Sequence, residues 1–270
     1  MISISNIAWE VDQDILVKSK LYDLGIKYID IAPSKYFRNL DEVSLDDSNS
    51  IVNFWRDSDI NIIGMQSLLF GTQGLNVFAD KKGLMIEHLA KVCRVGDLIG
   101  ARKLVFGSPK NRDCSVVSKS CVTPLALDFF RKLGDIAKSY NIDICLEPNP
   151  AIYGANFMMD SHETAGIVNA VNHSNILMQL DTGAMQVNNE DPEVIIKMYR
   201  TIIGHIHISE PNLFPINADS KFHVKTSKCI ENHLGDLPLT IEMLTDKSKN
   251  SIDTITKSVV SVQNTYGIRK

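Results

Sequence analysis

Ile142-Asp143-Ile144-Cys145-Leu146-Glu147 and, 34 residues on, Ile176-Leu177-Met178-Gln179-Leu180-Asp181 share one shape: a short aliphatic run that ends in an acid. Runs this apolar, without polar alternation, fit strands buried on both faces of a parallel sheet. Between them Ser161 opens a helical pattern continued at Thr164 and Ile167, so the stretch reads strand, helix, strand. The shape recurs outward in both directions, at 2–8, 28–32, 60–66 and 103–107 before it and at 204–209 and 239–243 after it. Helical patterns fall between the runs. They include 12–24 with Gly25 as its cap, 82–100, 124–140 stopping at Asn141, a helix with Pro192 in its first turn, and 251–262. Eight strands, each followed by a helix, is the arithmetic of an α/β chain folded as a (β/α)8 TIM barrel. A doubly wound open sheet shares the alternation. It would show a glycine-rich turn after the first strand, where Trp9-Glu10 stands instead.

The length of 270 residues suits one such barrel, and there is no repeat, low-complexity stretch or linker. A single domain over 1–270 is therefore expected. An apolar fraction of 44% and a charged fraction of 22% exclude a disordered chain. With 28 basic against 32 acidic residues, the net charge of −4 excludes a protein that holds nucleic acid by neutralising phosphates. No run approaches the roughly 18 apolar residues that span a bilayer, and the first residues lack a secretory pattern. The cysteines number five and form no Cys-x-x-Cys pair, which points to a reducing compartment. The expectation is a cytoplasmic protein with neither nucleic acid nor membrane as partner.

In a barrel of this kind the strand-to-helix loops crowd one face and carry the site. Here four consecutive strands end in groups that bind cations: Glu147, Asp181, His207 and Glu242, spaced 34, 26 and 35 residues apart. Each spacing is about one strand-helix unit, so the groups reach equivalent heights on adjacent strands. Three carboxylates and an imidazole converging at one rim suit one divalent ion. Mn²⁺, Mg²⁺ or Co²⁺ fit best, with Zn²⁺ also admissible. Without a cation, three carboxylates buried together would oppose one another's ionisation.

Cys145-Leu146-Glu147-Pro148-Asn149, Leu180-Asp181-Thr182-Gly183, His205-Ile206-His207-Ile208-Ser209 and Thr240-Ile241-Glu242-Met243 resemble the xylose isomerase-like barrel superfamily. More narrowly they are similar to its sugar phosphate isomerase/epimerase branch. The likeness runs over nearly the whole chain. It implies a sugar or sugar-phosphate isomerase or epimerase, with Glu147, Asp181, His207 and Glu242 as ligands of one metal ion. Glu147 and Glu242 would also be acid and base on opposite faces of the substrate, working through a metal-stabilised enediolate. Relatives that form dimers or tetramers leave room for a homo-oligomer.

The chain departs from the ketose epimerase pattern at two positions. Ala184 stands where that pattern has a histidine three residues after the Asp ligand, and Leu213 where it has an arginine six residues after the His ligand. Other groups are then expected to hold the substrate: Gln66 at the end of strand three, Asn149 and Asn156 after strand five, and Glu210, Asn212 and His223 after strand seven. Lys35, Tyr36, Arg38, Lys110 and Arg112 are candidates to neutralise a phosphate, and Trp9 and Phe70 to pack on a sugar face. Gln66, Ser108 and Ala184 leave no ligands for the zinc cluster of the superfamily's apurinic endonucleases, which excludes that branch. Two alternatives stay open on this scaffold: a metal-dependent keto-polyol dehydratase, and a non-catalytic sugar-binding barrel.

Overall fold

A computed structural model describes residues 1–246 and 251–267. Its strands are β1 (Ile2–Ser5), β2 (Tyr28–Ile31), β3 (Asn61–Met65), β4 (Lys103–Phe106), β5 (Asp143–Leu146), β6 (Ile176–Asp181), β7 (Ile203–Ser209) and β8 (Leu239–Glu242). All pair in parallel in chain order, and β8 returns to β1, so the sheet closes into a barrel. Closure leaves no unpaired edge, and both faces of each strand are covered. That is why the strands are nearly continuous aliphatic runs.

The helices pack outside: α1 (Asp14–Asp23), α2 (Leu45–Arg56), α3 (Leu84–Ile99), α4 (Lys119–Ser139), α5 (Ser161–Val171), α6 (Thr182–Val187), α7 (Pro192–Tyr199), α8 (Lys221–His233) and α9 (Ser251–Tyr266). Their boundaries follow local chemistry. Gly100 caps α3 in the left-handed region (φ 82°), and Asp160 caps α5 by accepting from the Glu163 amide. Among the described residues, no helix is long and apolar enough to cross a membrane.

Several boundaries differ from the sequence expectation, each for a stated reason. The first strand stops at Ser5, whose hydroxyl accepts the Ile7 amide and turns Asn6–Ala8 into a 3-10 turn. α2 carries no long apolar stripe in sequence. A reciprocal cap between Ser44 and Asp47 starts it, and buried Trp55 anchors it to the core. α4 begins at Lys119, so Pro124 lies inside the helix and not in its first turn. α8 begins at Lys221 and so carries His223, expected only as a group after strand seven.

The register sets the site. In the β6–β7 pair Gln179 lies beside His205 and Asp181 beside His207; in the β7–β8 pair Ser209 lies beside Glu242. Residues two apart on a strand face the same side, so two polar tiers enter the barrel, one below the other. The lower tier holds Asp30 from β2, which meets His205 Nε2 at 3.0 Å, while Gln179 Oε1 lies 3.0 Å from His205 Nδ1. Gly64 on β3 makes the space: a methyl there would stand 2.6 Å from the Asp30 carboxylate.

Candidate active site

Glu147 follows the last residue of β5, and its amide donates to the Phe106 carbonyl at 3.1 Å. Asp181 closes β6 and caps α6: its Oδ1 accepts the Ala184 amide at 2.5 Å and its Oδ2 accepts the Ser209 hydroxyl at 2.8 Å. One residue thus ends a strand, starts a helix and is turned inward by both. The backbone approach at the following turn requires Gly183, where a Cβ would meet Ser209 Oγ and the Glu210 carbonyl at 2.9 Å.

His207 is fully buried and gathers the carboxylates. Its Nδ1 lies 3.0 Å from Glu147 Oε1, 3.2 Å from Glu242 Oε2 and 3.9 Å from Asp181 Oδ2. Two amides steady the glutamates from outside. Gln66 Nε2 donates to Glu242 Oε1 at 2.7 Å, and Asn149 Nδ2 donates to Glu147 Oε2 at 3.4 Å. Beneath Glu147, the buried Arg112 donates to its main-chain carbonyl at 2.7 Å. Burial lowers the Arg112 guanidinium to about 10, with Glu147 and Glu163 opposing that shift.

The electrostatics are those of crowded acids. Burial, then the Glu147 and Glu242 charges, push Asp181 up to about 8. Burial opposes the His207 cation, yet the Glu242 and Glu147 carboxylates hold it well above its ordinary range. Burial also raises Glu242, but His207 beside it brings the net shift below the usual carboxylate value. Nearly buried, the four groups offer ligand atoms all within 4.8 Å of one another. Three carboxylates against one imidazole leave negative charge in a dry place, and a divalent cation supplies the opposite charge with ligand types it accepts. The donor set therefore fits such an ion. Asp30, His205 and His207 form a second buried group with the same spacing limit, one tier deeper.

Above the carboxylates opens a cavity of about 490 Å³. Gln66, Asn149 and Glu210 line it, together with Glu147, Asp181 and Glu242. His223 does not: α8 carries it behind Glu210, where its Nε2 lies 3.3 Å from Glu210 Oε1 and its Nδ1 lies 2.6 Å from the Tyr266 hydroxyl. It props a lining carboxylate and corrects the expectation of a substrate contact. Burial raises Glu210, but His223, with the Gln186 side chain and the Asn217 amide, more than offsets this and holds it below its ordinary value.

The expected phosphate binders are also placed elsewhere. Lys35 donates to the Asn6 and Trp9 carbonyls, Tyr36 donates to Asp14, and Arg112 is enclosed. Lys110 lines a neighbouring pocket with Gly71 and Gln73. Trp9 is buried and donates to Asp14, whereas Phe70 does line the cavity. Asn156 spends its side chain on Cys114 and Asp113. Asp30 and Ser209 escaped the sequence reading. An acid inside the aliphatic run of β2 was the signal for the first, and the serine ending His205-Ile206-His207-Ile208-Ser209 for the second.

Known folds match this arrangement closely. A D-psicose 3-epimerase from Clostridium cellulolyticum H10, solved with D-tagatose, superposes with a TM-score of 0.80 at 14% identity, over 98% of each chain. An L-ribulose 3-epimerase gives 0.78 at 13% identity, over 98% of this chain and 94% of that one. A 3-keto-D-glucoside 4-epimerase from E. coli gives 0.78 at 9% identity, over 97% and 98%. Likeness at such identities is likeness of fold. No curated protein sequence matches the chain. The family model described as xylose isomerase-like TIM barrel matches residues 19–235, most of the barrel, and on that match the chain belongs to the xylose isomerase-like TIM barrel family.

Proposed function

We propose that this protein is a divalent-metal-dependent isomerase or epimerase of sugars, in which Glu147 and Glu242 move a proton at the carbon beside a carbonyl. One observation carries the reading. Two glutamates from β5 and β8, well separated around the barrel, converge on one imidazole, and each is steadied by its own amide, Asn149 and Gln66. The likeness in fold to sugar epimerases agrees with it.

Glu147, Asp181, His207 and Glu242 would hold the ion, which when bound supplies Lewis-acid polarisation of the substrate carbonyl and so acidifies the neighbouring C–H. Asp181 is fixed by the Ala184 amide and Ser209, so it serves as a rigid ligand. The glutamates keep a choice of oxygens: one oxygen of each faces His207 and the other faces its amide partner. One carboxylate takes the proton from one face and the other, protonated, delivers its own proton to the opposite face, which inverts the carbon; exchange with solvent then resets the two carboxyl groups.

The test is exchange of the substrate C–H in D₂O, followed by NMR and mass spectrometry on metal-loaded protein with a panel of ketoses. Isomerisation or epimerisation leaves the mass changed only by deuterium, whereas a dehydratase loses water. Glu147→Gln and Glu242→Gln are each expected to cut exchange by about 10²-fold or more, with metal content read alongside. Full exchange in either variant would sink the two-carboxylate mechanism.

A further inference from the structure

The two nitrogens of His207 have unlike surroundings. Nδ1 faces the carboxylates of Glu147, Glu242 and Asp181, whereas Nε2, on the far side of the ring, is buried and makes no hydrogen bond. Asp30, on β2, shows the complementary lack. It is fully buried, and neither of its oxygens receives a hydrogen bond of good geometry, although His205 Nε2 stands 3.0 Å from Oδ2. One oxygen of Asp30 and one ring nitrogen each of His205 and His207 lie within 4.8 Å of one another. A nitrogen without an acceptor and a carboxylate without a well-aligned donor thus share one enclosed tier, where each lack is costly.

The chemistry of a metal ligand gives the pair a role. An imidazole that turns its Nδ1 lone pair to a cation carries its proton on Nε2. On this ring that proton points away from the carboxylates and down into the tier of Asp30. Histidines that ligate metals pass the other N–H to a nearby acceptor, which fixes the tautomer and the ring orientation and makes the free nitrogen a better donor. The tier is built to keep Asp30 in place for this. His205 beside it is fixed by Gln179 Oε1 at 3.0 Å and Thr240 Oγ1 at 3.2 Å, and it packs edge-to-face on His207 with ring centroids 5.2 Å apart. Gly64 leaves the room that the Asp30 carboxylate fills.

We infer that Asp30 is a positioning residue for the ion: its carboxylate accepts the Nε2–H of His207 and holds the ring with Nδ1 turned up toward the carboxylates. The inference rests on the proposed metal site and deepens it. Asp30 touches neither ion nor substrate and acts through His207 alone. A modest turn of either side chain closes the contact.

The experiment compares wild type, Asp30→Asn and Asp30→Ala in two measurements. Calorimetric titration of the chelated protein with Mn²⁺ reads affinity and stoichiometry. Nitrogen and proton NMR of the Mg²⁺-loaded protein, labelled in its histidine rings, reads which nitrogen of His207 carries a proton and how strongly that proton is bonded; a His207→Gln control assigns the signal. Wild type is expected to bind one ion, with Nε2 protonated and its proton shifted downfield. Asp30→Asn keeps an acceptor without the charge and is expected to lose less than about tenfold in affinity. Asp30→Ala is expected to lose about 10- to 100-fold, together with the downfield signal. A merely structural Asp30 would lower stability without moving that resonance. An Asp30→Ala protein that is folded by circular dichroism and binds Mn²⁺ as tightly as wild type overturns the inference. So does a His207 resonance that both substitutions leave in place. If Asp30→Ala does not fold, the wild-type resonance and its shift in Asp30→Asn decide. Two equivalents in wild type, falling to one without Asp30, would make Asp30 a ligand and also overturn the inference. Uptake by wild type that Asp30→Ala leaves unchanged refutes the inference alone, whereas no uptake by wild type refutes the metal reading and the inference with it.

Discussion

Gly107→Ala tests the site with little disturbance of the fold. Gly107 follows the last residue of β4, directly across from Glu147. A methyl there would overlap Glu147 Oε2 and stand 3.0 Å from its Cδ and 3.6 Å from its Cβ. Carbon atoms rest about 3.5–4.0 Å apart, so Cδ must retreat by at least about 0.5 Å and Oε2 by about 1 Å or more. That retreat gives up the 3.0 Å approach to His207 and the 3.4 Å hydrogen bond from Asn149. Metal–ligand distances tolerate only about 0.2 Å, and a misplacement near 1 Å costs on the order of 10² in rate. The crowded atoms belong to the free end of a flexible side chain, so the barrel itself has little to rearrange. Metal affinity measured by calorimetry should fall about 10- to 100-fold and sugar C–H exchange about 100-fold. The melting temperature of the metal-free protein should move by no more than about 5 °C. Metal affinity and exchange equal to wild type would show that Glu147 has no part in the site. A protein that no longer folds would show that the space left by Gly107 is structural.

Two further outcomes follow from buried charge. In the metal-free protein Asp181 is raised to about 8 by burial and by Glu147 and Glu242, and His207 is raised by Glu242 and Glu147 against the effect of burial. Both groups hold protons in the folded state above their unfolded values, so their contribution to stability is complete at low pH and is lost as pH rises through the folded values. The metal-free melting temperature should fall between about pH 6 and 9. Over the same range metal affinity should rise, with proton release visible in buffers of different ionisation heat; a flat affinity would contradict the assignment. Asp30→Ala removes the 3.0 Å partner of His205, leaving Thr240 Oγ1 at 3.2 Å from the same nitrogen, and should destabilise the barrel by about 1–3 kcal/mol in urea unfolding. A loss below about 1 kcal/mol would mean that the lower tier is relaxed by solvent.

The barrel was legible because burial on both faces writes itself into sequence as aliphatic runs, and the eight runs recur at strand-helix spacing. Glu147, Asp181, His207 and Glu242 were legible for a related reason: a strand end fixes both height and direction, so position along the chain nearly determines position in space. Loop residues have no such rule. Nothing in the sequence around His223 says that α8 starts two residues earlier and turns its ring behind Glu210. Arg112 and Lys35 look like surface cations until their carbonyl partners, Glu147 for one and Asn6 and Trp9 for the other, are brought in from 26 to 35 residues away. Asp30 is the inverse case. It sat in plain view within β2, and its meaning depended on a glycine one strand away and a histidine five strands away. The departures at Ala184 and Leu213 were visible as identities, but only the structure turns them into an apolar stretch of cavity wall.

The central claim is that Glu147, Asp181, His207 and Glu242 together hold one divalent ion. Elemental analysis after chelation and reconstitution tests it most directly, on wild type beside Asp181→Ala and His207→Ala. The account predicts about one equivalent of Mn²⁺, Mg²⁺ or Co²⁺ in wild type, with loss in both variants while the far-ultraviolet circular dichroism of a folded barrel persists. A folded wild type that takes up no ion at neutral pH, or variants that retain a full equivalent, would contradict it.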